Sequence, residues 1–123
     1  MRILAIVIGA IMLANGIFMF VDPPSWYGAV PGVPETGPLN LHFVRDIGIA
    51  FGVSGGAIIW GAFGGGWRVT ALGAAFLALH SLLHIGETIM GHHRDVLLNE
   101  ILGVHLPSWA AVVIAYLQSR RAA

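Results

Sequence analysis

The sequence predicts an all-α fold: an integral membrane four-helix bundle with a Pro-rich extracytoplasmic loop between helices one and two. Three observations carry that prediction. Hydrophobic residues make up 57% of the 123 and charged residues only 10%, whereas soluble domains carry about a quarter charged residues, so a water-facing surface would have too few charges. The apolar residues fall in runs of about 20, the number that crosses a hydrocarbon core of about 30 Å. The 17 glycines are scattered through these runs instead of gathering with serine in a linker, and membrane helices tolerate glycine. Residues 1–123 therefore read as a single transmembrane domain.

The first element covers residues 3–21, apolar apart from Asn15. One arginine precedes the run, as in a signal peptide, but the run is long and no clear small-x-small cleavage site follows it, so a retained helix is expected. Asn15 is expected to bond to a neighbouring helix. From residue 22 to residue 40 the composition changes. Pro23, Pro24, Pro31, Pro34 and Pro38 forbid a continuous helix, and Trp26 and Tyr27 suit a headgroup interface. The second helix is expected at about 41–60, the third at about 67–89 and the fourth at about 95–117. The connectors at 61–66 and 91–94 are short, so the last three helices should be antiparallel neighbours. Trp60 and Trp67 bracket the first connector, as interfacial anchors would.

The long loop, the start of helix two and the turn after helix three then share one side, here termed the loop side. Arg2, Arg68, Arg120 and Arg121 fall on the opposite side, with Arg45 and Arg94 on the loop side. The positive-inside rule makes the loop side extracytoplasmic and both termini cytoplasmic.

Composition also excludes whole classes of function. Formal net charge is zero and no basic stripe exists, so nucleic acid is not an expected partner; the lipid bilayer is. Cysteine is absent, which removes disulfides, thiolate metal sites and thiol redox chemistry.

Chemistry gathers on three of the helices. Helix two opens with His42, Arg45 and Asp46, which fall within one arc of about 100° and can form a polar patch. Gly48, Gly52 and Gly56 recur every four residues almost in line with Arg45, the small-xxx-small pattern by which helix backbones approach closely. That seam is expected to pack against another helix; the same face could also serve a homo-oligomer or a membrane protein partner. Helix three carries His80, His84 and Glu87 at i, i+4 and i+7, on one stripe with Gly73 and Gly91. Two imidazoles one turn apart, with a carboxylate on the next turn, are the ligand types of zinc, iron, manganese and copper sites.

Counting a rise of about 1.5 Å per residue from the loop-side helix ends puts Asp46, His84, Glu87 and Glu100 at comparable depth. Charged groups in spanning helices face the bundle interior and pair with one another. His105 is displaced from Glu100 by about 140° in an ideal helix and is the weaker candidate, although Pro107 could kink the helix and turn it inward. His92 and His93 are expected in a solvated turn.

The stretch Trp26-Tyr27 through Val30-Pro31-Gly32-Val33-Pro34 to Thr36-Gly37-Pro38-Leu39-Asn40, followed by His42-Phe43-Val44-Arg45-Asp46-Ile47-Gly48, resembles a group of small bacterial inner-membrane proteins. These are four-helix proteins loosely similar to the DoxX-like group. In layout the resemblance covers nearly the whole chain; its specific part is this loop and the start of helix two, and the HxxxH of helix three with its following acid is a second match. It implies a bacterial plasma-membrane location and a four-helix fold, and brings no catalytic role with it.

Three functional expectations follow. The first is a binding protein in which His42, Asp46, His80, His84, Glu87 and Glu100 form a site for a transition metal or a polar ligand headgroup, with His84 and Glu87 at the centre of any metal shell. A proton or substrate path, or a haem between His42 and a helix-three histidine, is a lesser form of the same idea. The second is a membrane-bound metal-dependent oxidoreductase or hydroxylase. The His80-to-His84 HxxxH and the His92-His93 pair invite comparison with di-iron hydroxylases, but the chain has too few histidines for that site and places them on the extracytoplasmic side. The third is an accessory or assembly subunit, in which Arg45 pairs with Asp46 or Glu100 and the polar cluster only fixes helix register.

Overall fold

The computed structural model of the chain describes residues 1–92 and 95–122, and the expectations for His93 and Arg94 lie outside them. In chain order the helices are α1 (Arg2–Val21), α2 (Pro23–Ala29), α3 (Leu41–Trp60), α4 (Gly66–Ile89), α5 (Leu97–Glu100) and α6 (Leu106–Ala122). A 3₁₀ turn lies at Pro34–Thr36, and a π-turn at Ile101–His105 joins α5 to α6 in one continuous run. Among the described residues there is no strand.

Three helical runs are long and apolar enough to cross a membrane: Arg2–Val21, Leu41–Ile89 and Leu97–Ala122. The middle run, at 49 residues, is two helices folded back on each other. Gly64, at φ 142°, breaks it in a conformation that residues with a Cβ avoid. Four long helices result, as the hydropathy pattern predicts. The fourth begins at Leu97 and reaches Ala122, later at both ends than expected.

The stretch between α1 and α3 is more ordered than its prolines suggested. Pro23 and Pro24 cannot continue α1, but they start α2, because the first helical positions need no N–H donor. The Asp22 carboxylate caps this short helix by accepting from the Ser25 N–H at 3.2 Å. Trp26 then donates its indole N–H to Asn15 Oδ1 across 3.0 Å, which ties α2 to α1. The Tyr27 hydroxyl donates to the Gly37 carbonyl at 2.6 Å and closes the rest of the loop on itself. Asn15 thus makes an interhelical hydrogen bond as expected, to the short α2, although its side chain accepts there and does not donate. Asn40 caps α3 by accepting from the Phe43 N–H at 3.0 Å.

α1 packs antiparallel along α3, α3 against α4, and α4 against α6, while α1 and α6 meet only sparsely. The α1–α3 contact is a glycine seam. A Cβ on Gly55 would stand 2.5 Å from the Gly9 carbonyl oxygen, and one on Gly48 would stand 2.8 Å from the Gly16 carbonyl oxygen. Backbone approaches of this kind leave no room for any side chain. Gly48 belongs to the seam as the spacing predicts, and Gly55 completes it; a Cβ on Gly16 would stand 2.6 Å from the Gly52 nitrogen, but one on Gly52 itself would meet only Leu13 Cδ1 at 3.9 Å, an ordinary contact, and one on Gly56 would meet nothing within 4 Å. The Gly48 and Gly52 part of that face is therefore occupied by α1 of the same chain.

Between the helices lies a core of Ala5, Ile8, Met12, Ile58, Ala74, Leu77, Ala111 and Ile114. The outer faces are equally apolar. Ile3, Val21, Val53, Leu72, Leu79 and Ile89 are each at least 67% exposed, a surface that favours hydrocarbon over water at roughly 25 cal/mol per Å². Arg2 stacks over Phe63 in the α3–α4 hairpin at 4.6 Å, which sets the N-terminus beside that hairpin and away from the proline-rich segment.

Candidate functional site: a buried histidine–glutamate couple

Antiparallel packing of α4 on the α5–α6 run brings the last turns of one against the first turns of the other. His84 lies five residues before the end of α4, and Glu100 is the last residue of α5. Their side chains meet: His84 Nδ1 and Glu100 Oε2 are 2.5 Å apart. Glu100 is only 6% exposed, so its pairing with imidazole meets the need of a buried carboxyl for a hydrogen-bonding partner.

Further polar side chains lie on the two runs that carry the couple. The His80 ring lies one turn deeper on α4, with its centroid 4.5 Å from that of His84. Phe76 stacks nearly parallel to His80 at 5.8 Å, and Phe51 of α3 meets it edge-on at 5.3 Å, so aromatic faces fix the inner imidazole. Ser81, fully buried, shares a 2.8 Å hydrogen bond with His105 Nδ1. Which atom donates depends on the histidine tautomer. The Ser108 hydroxyl bonds back to the Val104 carbonyl at 2.6 Å. His84–Glu100 and Ser81–His105 therefore join α4 to the α5–α6 run, one just before the π-turn and one at its last residue.

The six residues expected at a common site divide into two groups. His84 and Glu100 are in contact and His80 adjoins them; Glu87, on the same stripe of α4, is partly buried one turn toward the loop side. His42 and Asp46 instead pair with each other within α3, Nε2 to Oδ2 at 3.2 Å, with side chains 89% and 56% exposed. The reason lies in the faces of α3. Val44, Gly48, Ser54, Gly55 and Ile58 form its buried side, and the His42–Asp46 stripe faces away from it. Arg45 pairs with neither Asp46 nor Glu100; its Nε–H donates to the Phe20 carbonyl at the end of α1, at 3.2 Å. Among the described residues no group of three or more His, Cys, Asp or Glu side chains is set to hold a metal ion.

Ser81 and His105 extend the site, although an ideal helix displaces His105 from Glu100 by about 140° and makes it the weaker candidate. The Leu106 N–H donates to the Ile101 carbonyl, an i→i+5 bond. That wider turn spends one extra residue and brings positions 100 and 105 toward a common face. Pro107 was the available signal, since proline disturbs the preceding turn. Ser81, a small polar residue between two histidines in an apolar helix, was the other.

Chemically, the couple differs from an ion pair at a surface. With one proton on the imidazole it carries a net charge of −1; with a second proton, on either partner, the net charge is zero. Adding or removing one proton therefore changes the charge on side chains that are only 18% and 7% exposed.

Comparison with family models, with curated proteins and with solved structures gives no match.

Proposed function

We propose that this protein is a four-span integral membrane protein, with both termini cytoplasmic, whose His84–Glu100 couple is a membrane-embedded proton-exchange site reached from the loop side. The observation that carries this reading is a 6% exposed glutamate, joined at 2.5 Å to a histidine, inside helices whose outer faces are apolar. Ionisable groups in spanning helices are costly to insert, and where they occur they mark proton relays or substrate paths. His80, Ser81 and His105 extend the site inward, and Glu87 extends it toward the loop. The likeness of the loop and the start of α3 to small bacterial inner-membrane proteins supports a bacterial inner-membrane location, and the arginine distribution supports the orientation.

Infrared difference titration of the protein in lipid vesicles tests the reading. A carboxyl change and an imidazole change should accompany each other in native protein, and Glu100→Gln should remove that carboxyl change and displace the His84 imidazole change, while the exposed His42–Asp46 pair responds alike in both proteins. If the imidazole change survives unaltered in Glu100→Gln, the couple is not one proton-exchange unit and the reading fails.

Metal binding is the second reading, favoured by the His80–His84 ring contact beside Glu100. Zinc, iron, copper or manganese would be held there by imidazole nitrogens and a carboxylate oxygen. Elemental analysis of protein purified in mild detergent, with His84→Ala alongside, decides it. Stoichiometric metal in the native protein that is lost in the variant supports it; equal, trace metal in both removes it, and with it any metal-dependent oxidoreductase or hydroxylase.

A further inference from the structure

The π-turn at Ile101–His105 sits between the two polar links from α4. Glu100, immediately before it, reaches His84, and His105, its last residue, reaches Ser81. In an unbroken α-helix these two positions lie about 140° apart and could not both face α4. The wide turn is thus the geometry that both links require together.

The sequence also makes this turn easy to alter. Pro107 has no N–H to return to the carbonyl of Gly103, four residues earlier, and its ring crowds that carbonyl in a regular helix. The Ser108 hydroxyl engages the next carbonyl, Val104, at 2.6 Å. Gly103 contributes no side chain, and a Cβ added there would meet nothing within 4 Å. At Gly103, then, no neighbouring helix presses on the turn, and Glu100–His84 and His105–Ser81 tie its two ends to α4. α5 is only four residues long, so little structure must move with it.

We propose that the π-turn Ile101–His105 is a register switch: the Glu100–His84 contact holds it wide, and loss of that contact lets the run re-form as α-helix, turning α5 by about 100° and carrying Glu100 off α4. The proposal rests on the reading of His84–Glu100 as the working site, and it gives that site a mechanical output. Whatever takes the Glu100 carboxylate away from His84 also rotates the loop-side end of the fourth helix. With a helix radius of about 5–6 Å including side chains, such a rotation displaces a side-chain tip by about 8 Å.

The experiment is pulsed EPR in lipid bilayers, with nitroxides at Leu98 on α5 and Ile49 on α3, both exposed positions. A second pair at Ile49 and Leu79 monitors the bundle itself. Glu100→Ala should shift the Leu98–Ile49 distance by several ångströms, up to about 8 Å, and leave the Ile49–Leu79 distance unchanged. Glu100→Gln, the gentler variant, should shift a smaller fraction of molecules. Deleting Leu102 makes Glu100 and His105 four residues apart, on one face of an ordinary α-helix. On that background Glu100→Ala should leave both distances alone.

An unmoved Leu98–Ile49 distance in both Glu100 variants overturns the switch, and so does an equal shift on the deletion background. Movement of both pairs overturns it too, because the bundle has then loosened as a whole. Unmoved labels with intact joint titration would remove the switch and keep the site; moving labels without joint titration would do the reverse.

Discussion

Gly55 and Gly56 are adjacent in α3 and chemically identical, yet replacing each by alanine should have different consequences. A Cβ on Gly55 would lie 2.5 Å from the Gly9 carbonyl oxygen and 2.6 Å from the Leu13 backbone nitrogen, whereas one on Gly56 meets nothing within 4 Å. Neither Gly9 oxygen nor Leu13 nitrogen can rotate away, because both are helix backbone. To restore ordinary contact at about 3.4 Å, α1 must retreat by about 0.9 Å, and a gap of that size forfeits roughly a quarter to a half of each nearby dispersion contact. Overpacking of this kind costs about 1–3 kcal/mol. Replacing glycine by alanine in a helix favours the helix by about 0.5–1 kcal/mol at either position, so that term cancels in the comparison. Gly55→Ala should therefore be about 1–3 kcal/mol less stable than Gly56→Ala. Reversible unfolding by SDS in mixed micelles, followed by the fluorescence of the four tryptophans, measures the difference. Equal stabilities within about 0.5 kcal/mol, the ordinary scatter between independent sites, would refute the α1–α3 seam.

Other predictions concern the loop side and the orientation. A double-mutant cycle on Trp26→Phe and Asn15→Ala should give a coupling of about 1 kcal/mol, measured by the same unfolding assay, as interhelical hydrogen bonds in membrane proteins do; no coupling would mean that α2 is not tied to α1. Hydrogen bonds from Ser25, its hydroxyl first and then its N–H, hold the Asp22 carboxyl below its usual value of 3.8. A depressed folded-state pKa contributes stability above the unfolded value that is lost as pH falls through the folded one, so protection of the Ser25 amide from hydrogen exchange should persist at neutral pH and fall only below about 3.8. Asp22→Ala should abolish that protection at all pH. In intact cells, a membrane-impermeant thiol reagent should label Ser25→Cys and spare Ala122→Cys, both exposed positions; the opposite pattern would invert the proposed orientation.

Much of this architecture was legible in the sequence because hydropathy and glycine spacing act over whole helices. Four apolar runs, the hairpin near Gly64 and the antiparallel order follow from length and pattern alone. α2 is hidden in the sequence because proline both breaks a running helix and starts a new one, and Asp22-Pro23-Pro24 does both. The seam was predicted one residue away from its end, at Gly56 and not Gly55, since a strict four-residue period ignores that helices cross and their contacts drift between i+3 and i+4.

The site was half legible for a related reason. Depth along a helix is fixed by the rise per residue, so the match in level between His84 and Glu100 could be counted. Direction around a helix depends on which face is buried, and the glycine seam of α3 turns Asp46 and His42 away from the couple. His105 needed a π-turn, a local change of geometry that no uniform periodicity contains.

The central claim is that a glutamate and a histidine from different helices share a proton within lipid. Solid-state NMR on protein labelled with ¹⁵N-histidine and ¹³C-glutamate in bilayers tests it most directly. A through-space correlation between His84 Nδ1 and the Glu100 carboxyl carbon, consistent with a 2.5 Å contact, is expected, and it should disappear in Glu100→Gln. A Glu100 carboxyl correlated with bulk water and with no imidazole nitrogen would contradict it.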